Sequence, residues 1–331
     1  MLTAERHWPH VEDVADRIRK VIEDSADIGC LAHKDADADS LGSALAFAIS
    51  LRAMGKRAHT MAPAPAPTML EYLPGFDTLE QMPERIDSLF TFDCATLGRF
   101  GEKQLLVERT PCVVNVDHHV SNEAFGSINL VEPEASATGQ VLYRLLRALD
   151  APIPPDAATN LYAALFTDTG GFRHENTTEA ALRLGAELVA LGADPAWVAL
   201  KSYKSRSVTQ MRLEGLALAR LQVEHVGQLI WSEVTQQMLG EAAASMQESE
   251  GIIDILQSVD TMKIAILFKE NDSRAVKISV RTRDEFDATD LCTPFGGGGH
   301  RRAAGAELGM ALPEAREKVL GLAGTLLQQA R

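Results

Sequence analysis

A chain of 331 residues with 46% hydrophobic content is too long for one small core and too apolar to be disordered, so two domains of ordinary size are expected. Its 46 Asp and Glu outnumber 32 Lys and Arg, net −14, which excludes the broad basic surface that holds long duplex nucleic acid by counterion release. The four cysteines, Cys30, Cys94, Cys112 and Cys292, make no CxxC pair and read as reduced buried thiols of a cytoplasmic protein.

The first residues, MLTAERHWPHVEDVADRIRK, alternate charged with apolar side chains and lack the basic-then-apolar order of a secretory leader. No uncharged apolar run approaches the roughly 20 residues that span a bilayer, so a soluble chain with no membrane partner is expected. Helical spacing from Ala4 to Val21 feeds a short apolar run, Asp27 to His33, that reads as a buried strand. The loop KDADADS follows, then helical spacing from Leu41 to Met54 with Gly55 placed to end it. Pro63 to Pro67 reads as a stiff extended connector, too short to link domains. Two more apolar runs, Ser88 to Asp93 and Pro111 to Asp117, end in aspartate, and helices are expected at Ala137 to Leu149 and Asp156 to Phe166. Strands alternating with helices predict an α/β fold, a parallel sheet with helices on both faces, whose ligands bind beyond the carboxyl ends of the strands.

After Gly192 the pattern changes. Helical stretches at Asp194 to Tyr203 and Val208 to Leu221 precede apparent strands at Gln228 to Ser232, Lys263 to Lys269 and Ala275 to Arg281. A helix near Gly251 to Val259 and another from Pro313 complete the reading. The expected organisation is a first domain over 1–192, a helical connector over 193–220 and a smaller α/β domain over 221–331.

Chemistry gathers after the apolar runs. The first presents His33, then Asp37 and Asp39; the second presents Asp93; the third presents Asp117, His118 and His119; and TDTGGF presents Asp168. Hard carboxylates mixed with imidazole suit Mn²⁺ or Mg²⁺, and the lack of thiolate argues against a structural zinc site. Two ions a few ångströms apart need a carboxylate between them, a place that Asp93 fits. Each stretch alone has a plainer reading: DADAD as a solvated loop or helix cap, His118 and His119 as a polar turn, Asp93 and Asp168 as terminators. All four in this order argue for one site. The run Gly296, Gly297, Gly298, Gly299 is either a flexible turn or a place where backbone N–H groups approach an anion, with His300 as a neighbouring donor. Arg281 in KISVRT and Arg99 after Asp93 are candidate phosphate partners, with a surface salt bridge as the plainer role for Arg281.

The sequence resembles the DHH phosphoesterase family. The family's H-x-x-x-D-x-D motif with its following G-S pair stands here as His33, Asp37, Asp39, Gly42 and Ser43. Asp93 in FDCA, the name-giving Asp117-His118-His119 and Asp168 in TDTGGF match the second to fourth motifs, and GGGGH, Gly296 to His300, looks like the hallmark of the DHH-associated C-terminal domain. The resemblance implies a catalytic domain followed by a substrate-binding domain, with the active site in the cleft between them. It implies that His33, Asp37 and Asp93 bind one ion, that Asp39, Asp93, His118 and Asp168 bind a second, and that Asp117 orients a ligating histidine. His119 would face the substrate, and Arg281, Arg99 and the glycine run would contact it. Ala36 and Ala38 stand where the family often has Pro and Gly, positions that shape the loop but supply no ligand, and His174 replaces a more usual aromatic.

The implied chemistry is in-line attack on phosphorus by a hydroxide held between two divalent cations, most simply Mn²⁺, with Mg²⁺ as the other ion that fits. The two-domain size and GGGGH are similar to bacterial nano-RNA hydrolases that also act on 3'-phosphoadenosine 5'-phosphate (pAp); some relatives cleave cyclic di-AMP or pApA. The expected substrate is a short oligonucleotide or small nucleotide, in a cytoplasmic homodimer. A class II inorganic pyrophosphatase or exopolyphosphatase shares the metal motifs but ends in a Lys/Arg-rich motif where GGGGH stands. Only 5% of residues are aromatic, against the stacking channel that a nuclease of long single strands requires. A catalytically silent nucleotide sensor is the remaining class, and the intact set of ligand residues speaks against it.

Overall fold

The computed structural model describes residues 8–329 except 82, 84 and 272–274. It forms two compact units, Met1–Ser205 and Arg206–Arg331. The division falls inside the segment read as a connector, whose helices go one to each unit. The expected helix start at Ala4 lies outside the described residues. Among the described residues no helix is long and apolar enough to cross a membrane.

The first unit runs α1 (Val11–Asp24), β1 (Asp27–Leu31), α2 (Ala38–Ala53), β2 (Arg57–Met61), β3 (Ser88–Phe92), α3 (Gln104–Arg109), β4 (Val113–Asp117), β5 (Ile128–Val131), α4 (Thr138–Ala148), α5 (Pro155–Asp168), α6 (Glu179–Ala190) and α7 (Pro195–Ala199). Its strands form one parallel sheet in the order β2-β1-β3-β4-β5. The inner strands β1, β3 and β4 are buried at every position, which is why they read as unbroken apolar runs. The edge strands β2 (RAHTM) and β5 (INLV) carry no such signal and lie outside the sequence expectation.

Ile18, Leu41, Phe90, Val114 and Leu142 share a core on one face of this sheet, built with α1, α2 and α4. On the other face Phe100 and Val107, from a short 3₁₀ segment and α3, pack with Leu31, Leu89 and Val113. Helix α2 is apolar nearly all round because it is buried on both sides, by the sheet and by α5. Gly42 permits that closeness: a Cβ there would lie 2.9 Å from the Asn160 carbonyl oxygen.

The second unit runs α8 (Val208–Ala219), β6 (Gln222–Glu224), β7 (Leu229–Val234), α9 (Gln236–Ala242), α10 (Ile252–Leu256), β8 (Ile264–Glu270), β9 (Val276–Thr282), α11 (Thr289–Cys292), β10 (Gly298–His300), β11 (Ala303–Leu308) and α12 (Leu312–Gln329). Its mixed sheet has the order β10-β11-β9-β8-β7-β6, with β7 and β8 parallel and the other pairs antiparallel. Ile266, Phe268 and Ile278 pack with Leu291 and Val319 on one face; Ile230 and Leu267 pack with Leu213, Met238 and Ile253 on the other. Along β9, Val276, Ile278 and Val280 are buried while Lys277, Ser279 and Arg281 alternate with them on the more open face.

Candidate active site

The carboxyl ends of β1, β3 and β4 bring the first unit's motifs together. His33 follows β1, Asp37 is the N-cap of α2 and Asp39 stands in its first turn. Asp93 follows β3 in a left-handed conformation (φ 59°), Asp117 ends β4, and Asp168 ends α5, a helix rather than a strand. Asp93 is the centre. Its Oδ2 lies 3.4 Å from His33 Nε2, and its Oδ1 lies 3.5 Å from His118 Nε2 and 3.6 Å from His119 Nδ1. His33 Nε2 is also 3.9 Å from Asp37 Oδ2, and His118 Nε2 is 3.7 Å from Asp168 Oδ2 and 4.0 Å from Asp39 Oδ2.

The surroundings fix the histidine rings. His33 Nδ1 lies 2.8 Å from the Lys34 carbonyl oxygen, and His118 Nδ1 lies 3.1 Å from that of Ala135, so each ring turns Nε2 toward the carboxylates. Asp117 holds His119 instead: its Oδ1 accepts from the His118 and His119 amides and meets His119 Nδ1 at 2.7 Å, while Oδ2 accepts from Asn122. The ring oriented by Asp117 is thus that of His119, and a backbone carbonyl orients His118. Arg99 Nη2 reaches His33 Nε2 at 3.0 Å, which places that candidate in the same cluster. Asp35 is exposed, and the His174 ring lies against Gly170, where a Cβ would be 2.2 Å from its Nε2.

Several supporting residues carry no motif. Ser40 Oγ accepts from the His33 amide and donates to the Phe92 carbonyl, tying the ends of β1 and β3. Thr138 and Gly139 donate to Asp39, and Asn176 donates to the Asp168 and Ser136 carbonyls. Small polar residues around the start of α4, in ASATGQ, were the available signal, since such residues favour helix starts.

Ligand atoms within 4.8 Å of one another come from His33, Asp37 and Asp93; from Asp39, His118 and Asp168; and from Asp93, Asp117 and His119. Asp117 in the last group is already saturated by its hydrogen bonds. Burial, with the charges of Asp93 and Asp168, pushes Asp39 well above the usual carboxylate range, and burial with Asp93 and Asp37 does the same to Asp168. Burial also works to raise Asp93, yet the His33 hydrogen bond and the charges of His119 and His118 hold it below that range. Burial disfavours charge on His119, but Asp117 and Asp93 outweigh it and push the ring up to about 9. Buried carboxylates that raise one another in this way are the condition that a divalent cation relieves, and an oxygen and imidazole donor set fits such an ion. These side chains could therefore hold a metal.

The remaining candidates lie in the second unit. Arg281 and His300 are both directly opposite Ala303 in the sheet, so their side chains leave the same face on either side of a small residue. Arg281 also lies 3.4 Å from Asp254. In the glycine run, a Cβ at Gly297 would lie 2.2 Å from the Gly305 carbonyl oxygen and one at Gly299 2.4 Å from that of Ala303, whereas Gly296 and Gly298 face open space. Arg302 is engaged with the Asp284 and Phe286 carbonyls.

Residues 27–165 match the N-terminal domain of the DHH family and residues 227–327 match the DHHA1 domain. A Thermus thermophilus protein named bifunctional oligoribonuclease and PAP phosphatase NrnA is 31% identical over 95% of this chain and 94% of its own. A Bacillus subtilis protein of the same name is 22% identical over 83% of this chain and 87% of its own. The crystal structure of an exopolyphosphatase-related protein from Bacteroides fragilis is similar with TM-score 0.88 and 26% identity, covering 96% of this chain and 98% of that one. Matched in both domains and aligned almost end to end with the Thermus relative, the chain belongs to the DHH family of phosphoester hydrolases that carry a DHHA1 domain.

Proposed function

We propose that the chain hydrolyses very short oligoribonucleotides and pAp in the cytoplasm with two divalent cations, Mn²⁺ by preference. The observation that carries this reading is the double aspect of Asp93, with Oδ2 toward His33 and Oδ1 toward His118, one carboxylate shared by two His/Asp groups. In this reading His33, Asp37 and Asp93 hold one ion, and Asp39, Asp93, His118 and Asp168 hold the other. Bound there, the ions supply Lewis acidity toward phosphoryl oxygens and water.

The chain's own residues bind and orient. His119, its Nδ1 fixed by Asp117, serves a phosphoryl oxygen or the leaving group through Nε2. Arg99, beside His33, forks onto a phosphate. Arg281 and His300, about 10 Å apart across β11, hold a terminal phosphate with the open side of the glycine run. The names of the Thermus and Bacillus relatives support the substrate class, and the resemblance of the motifs supports a homodimer, which sedimentation of the full chain checks.

The likeness to an exopolyphosphatase-related protein favours one second reading, hydrolysis of pyrophosphate or polyphosphate. Turnover of pAp, a diribonucleotide, pApA, cyclic di-AMP and pyrophosphate, side by side with Mn²⁺ and with Mg²⁺, decides between them. The expected result is turnover of the dinucleotide and pAp, with pyrophosphate about 100-fold slower or worse. Pyrophosphate as the one good substrate overturns the proposal, and nucleotide binding without turnover of any of them points to a sensor.

A further inference from the structure

Helix α4 starts against the site. Its N-cap, Ala137, has no side chain that can cap, and the first amides are satisfied by a carboxylate from α2 instead: Thr138 N–H donates to Asp39 Oδ2 at 2.7 Å and Gly139 N–H to Asp39 Oδ1 at 2.9 Å. The same threonine turns its hydroxyl the other way and donates to Asp93 Oδ1 at 2.9 Å. Thr138 is fully buried, and Asp39 is only 1% exposed.

The asymmetry matters because the two Asp93 oxygens have different neighbours. Oδ1, which accepts from Thr138, is the one near His118; Oδ2 is the one near His33. A hydroxyl has one proton to give. Given to Oδ1, it holds the oxygen on the His118 side, while Oδ2 has its own partner in His33 on the other side. The amide of the same residue anchors Asp39, which belongs with His118 and Asp168. Both bonds from Thr138 therefore serve one of the two groups.

We propose that Thr138 is a positioning residue for the Asp39–His118–Asp168 group, setting its affinity for a divalent cation while leaving the His33–Asp37 group nearly unaffected. The inference rests on reading the two groups as the two ion sites. A merely structural threonine, satisfying a buried carboxylate at a helix start, would affect stability and leave the ratio of the two affinities alone.

The test titrates Mn²⁺ into the full, chelator-stripped chain by calorimetry, with the electron-spin resonance of bound Mn²⁺ as a second readout. Thr138→Val removes the hydroxyl and keeps the amide; Thr138→Ser keeps both. Wild type is expected to take two ions. Thr138→Val is expected to lose about 10- to 100-fold at one ion, the usual cost of removing a partner that orients a ligand, and to stay within about threefold at the other. Thr138→Ser is expected to restore both. Combined with Asp168→Asn the loss should not add, whereas combined with Asp37→Asn both ions should weaken. Melting of the metal-free variants reports folding separately, and Thr138→Cys, a weaker donor of similar size, replaces the valine variant if that fails to fold. Equal loss at both ions, or none, overturns the role given to Thr138. Fewer than two ions on wild type overturns the two-site reading itself.

Discussion

Asp93 meets more demands than any other side chain described around the site. It is 5% exposed, sits in a left-handed conformation that Asp adopts more readily than most side chains, accepts from Thr138 and lies near three imidazoles. If it serves both ions, Asp93→Ala should remove both together, lowering turnover by more than about 100-fold, beyond what the loss of an outer partner costs. Near-normal turnover, or retention of two ions in a Mn²⁺ titration, contradicts the shared role. At this scale the sequence was legible where chemistry resides in residue type: carboxylates and imidazoles following apolar runs announce themselves. Thr138, Ser40 and Asn122 did not, because their roles arise only when the fold closes. The Thr138 amide meets an Asp39 that is 99 positions away in the chain, and the group orienting His118 is a backbone carbonyl that no side-chain pattern encodes.

Elements divide the labour within motifs that look uniform. The four glycines do two jobs: Gly297 and Gly299 let β10 lie against β11, while Gly298 has neither a positive φ nor a neighbour to explain it. Gly297→Ala should cost about 1–3 kcal/mol by overpacking and lower the melting temperature. Gly298→Ala should leave melting nearly unchanged and raise KM for short nucleotides about tenfold, the loss of one close anion contact worth about 1.4 kcal/mol; an unchanged KM removes the run from substrate contact. Glu248 shows a second device, gathering the Ser207, Thr209 and Ser245 hydroxyls and the Ser245 amide at the start of α8. Those hydrogen bonds pull its carboxyl to about 2 from an ordinary 4.5. A lowered carboxyl stabilises above its unfolded value and loses that contribution as pH falls through the folded one. Protection of the α8 amides against hydrogen exchange, taken relative to the intrinsic rate at each pH, should therefore fall between about pH 4.5 and 2 in wild type and show a weaker pH dependence in Glu248→Gln. The buried inner strands of the first sheet, β7, β8 and β9 of the second, and most long helices were legible from periodicity, whereas α6 and β11 were not read. The edge strands β2 and β5, the three-residue β6 and the glycine strand β10 were not, because short or half-exposed strands lack an apolar run and owe their existence to the neighbour they pair with.

For the whole molecule, a net charge of −14 has to be reconciled with an anionic substrate. Five carboxylates, Asp37, Asp39, Asp93, Asp117 and Asp168, stand in one cluster of the first unit, and two divalent ions would offset about four of those charges there. The fixed cations proposed for substrate are few, Arg99 in the first unit and Arg281 in the second, with the His300 ring beside Arg281 as a further donor. The remaining surplus of acidic residues repels a polyanion over the rest of its length. Binding should thus be local, a phosphate or two at a time, rather than distributed along a strand. With about two phosphates neutralised by the protein, log(kcat/KM) for pApA should fall against log salt with a slope of about −1.4, and a strand of about 20 nucleotides should be no steeper. The long strand should also be the poorer substrate, by about tenfold or more in kcat/KM, because each added phosphate meets unfavourable potential instead of a new contact. A slope of about −4 or steeper, with efficiency rising as the strand lengthens, would mean an extended basic track that this composition does not supply, and would exclude short oligonucleotides as the preferred substrate.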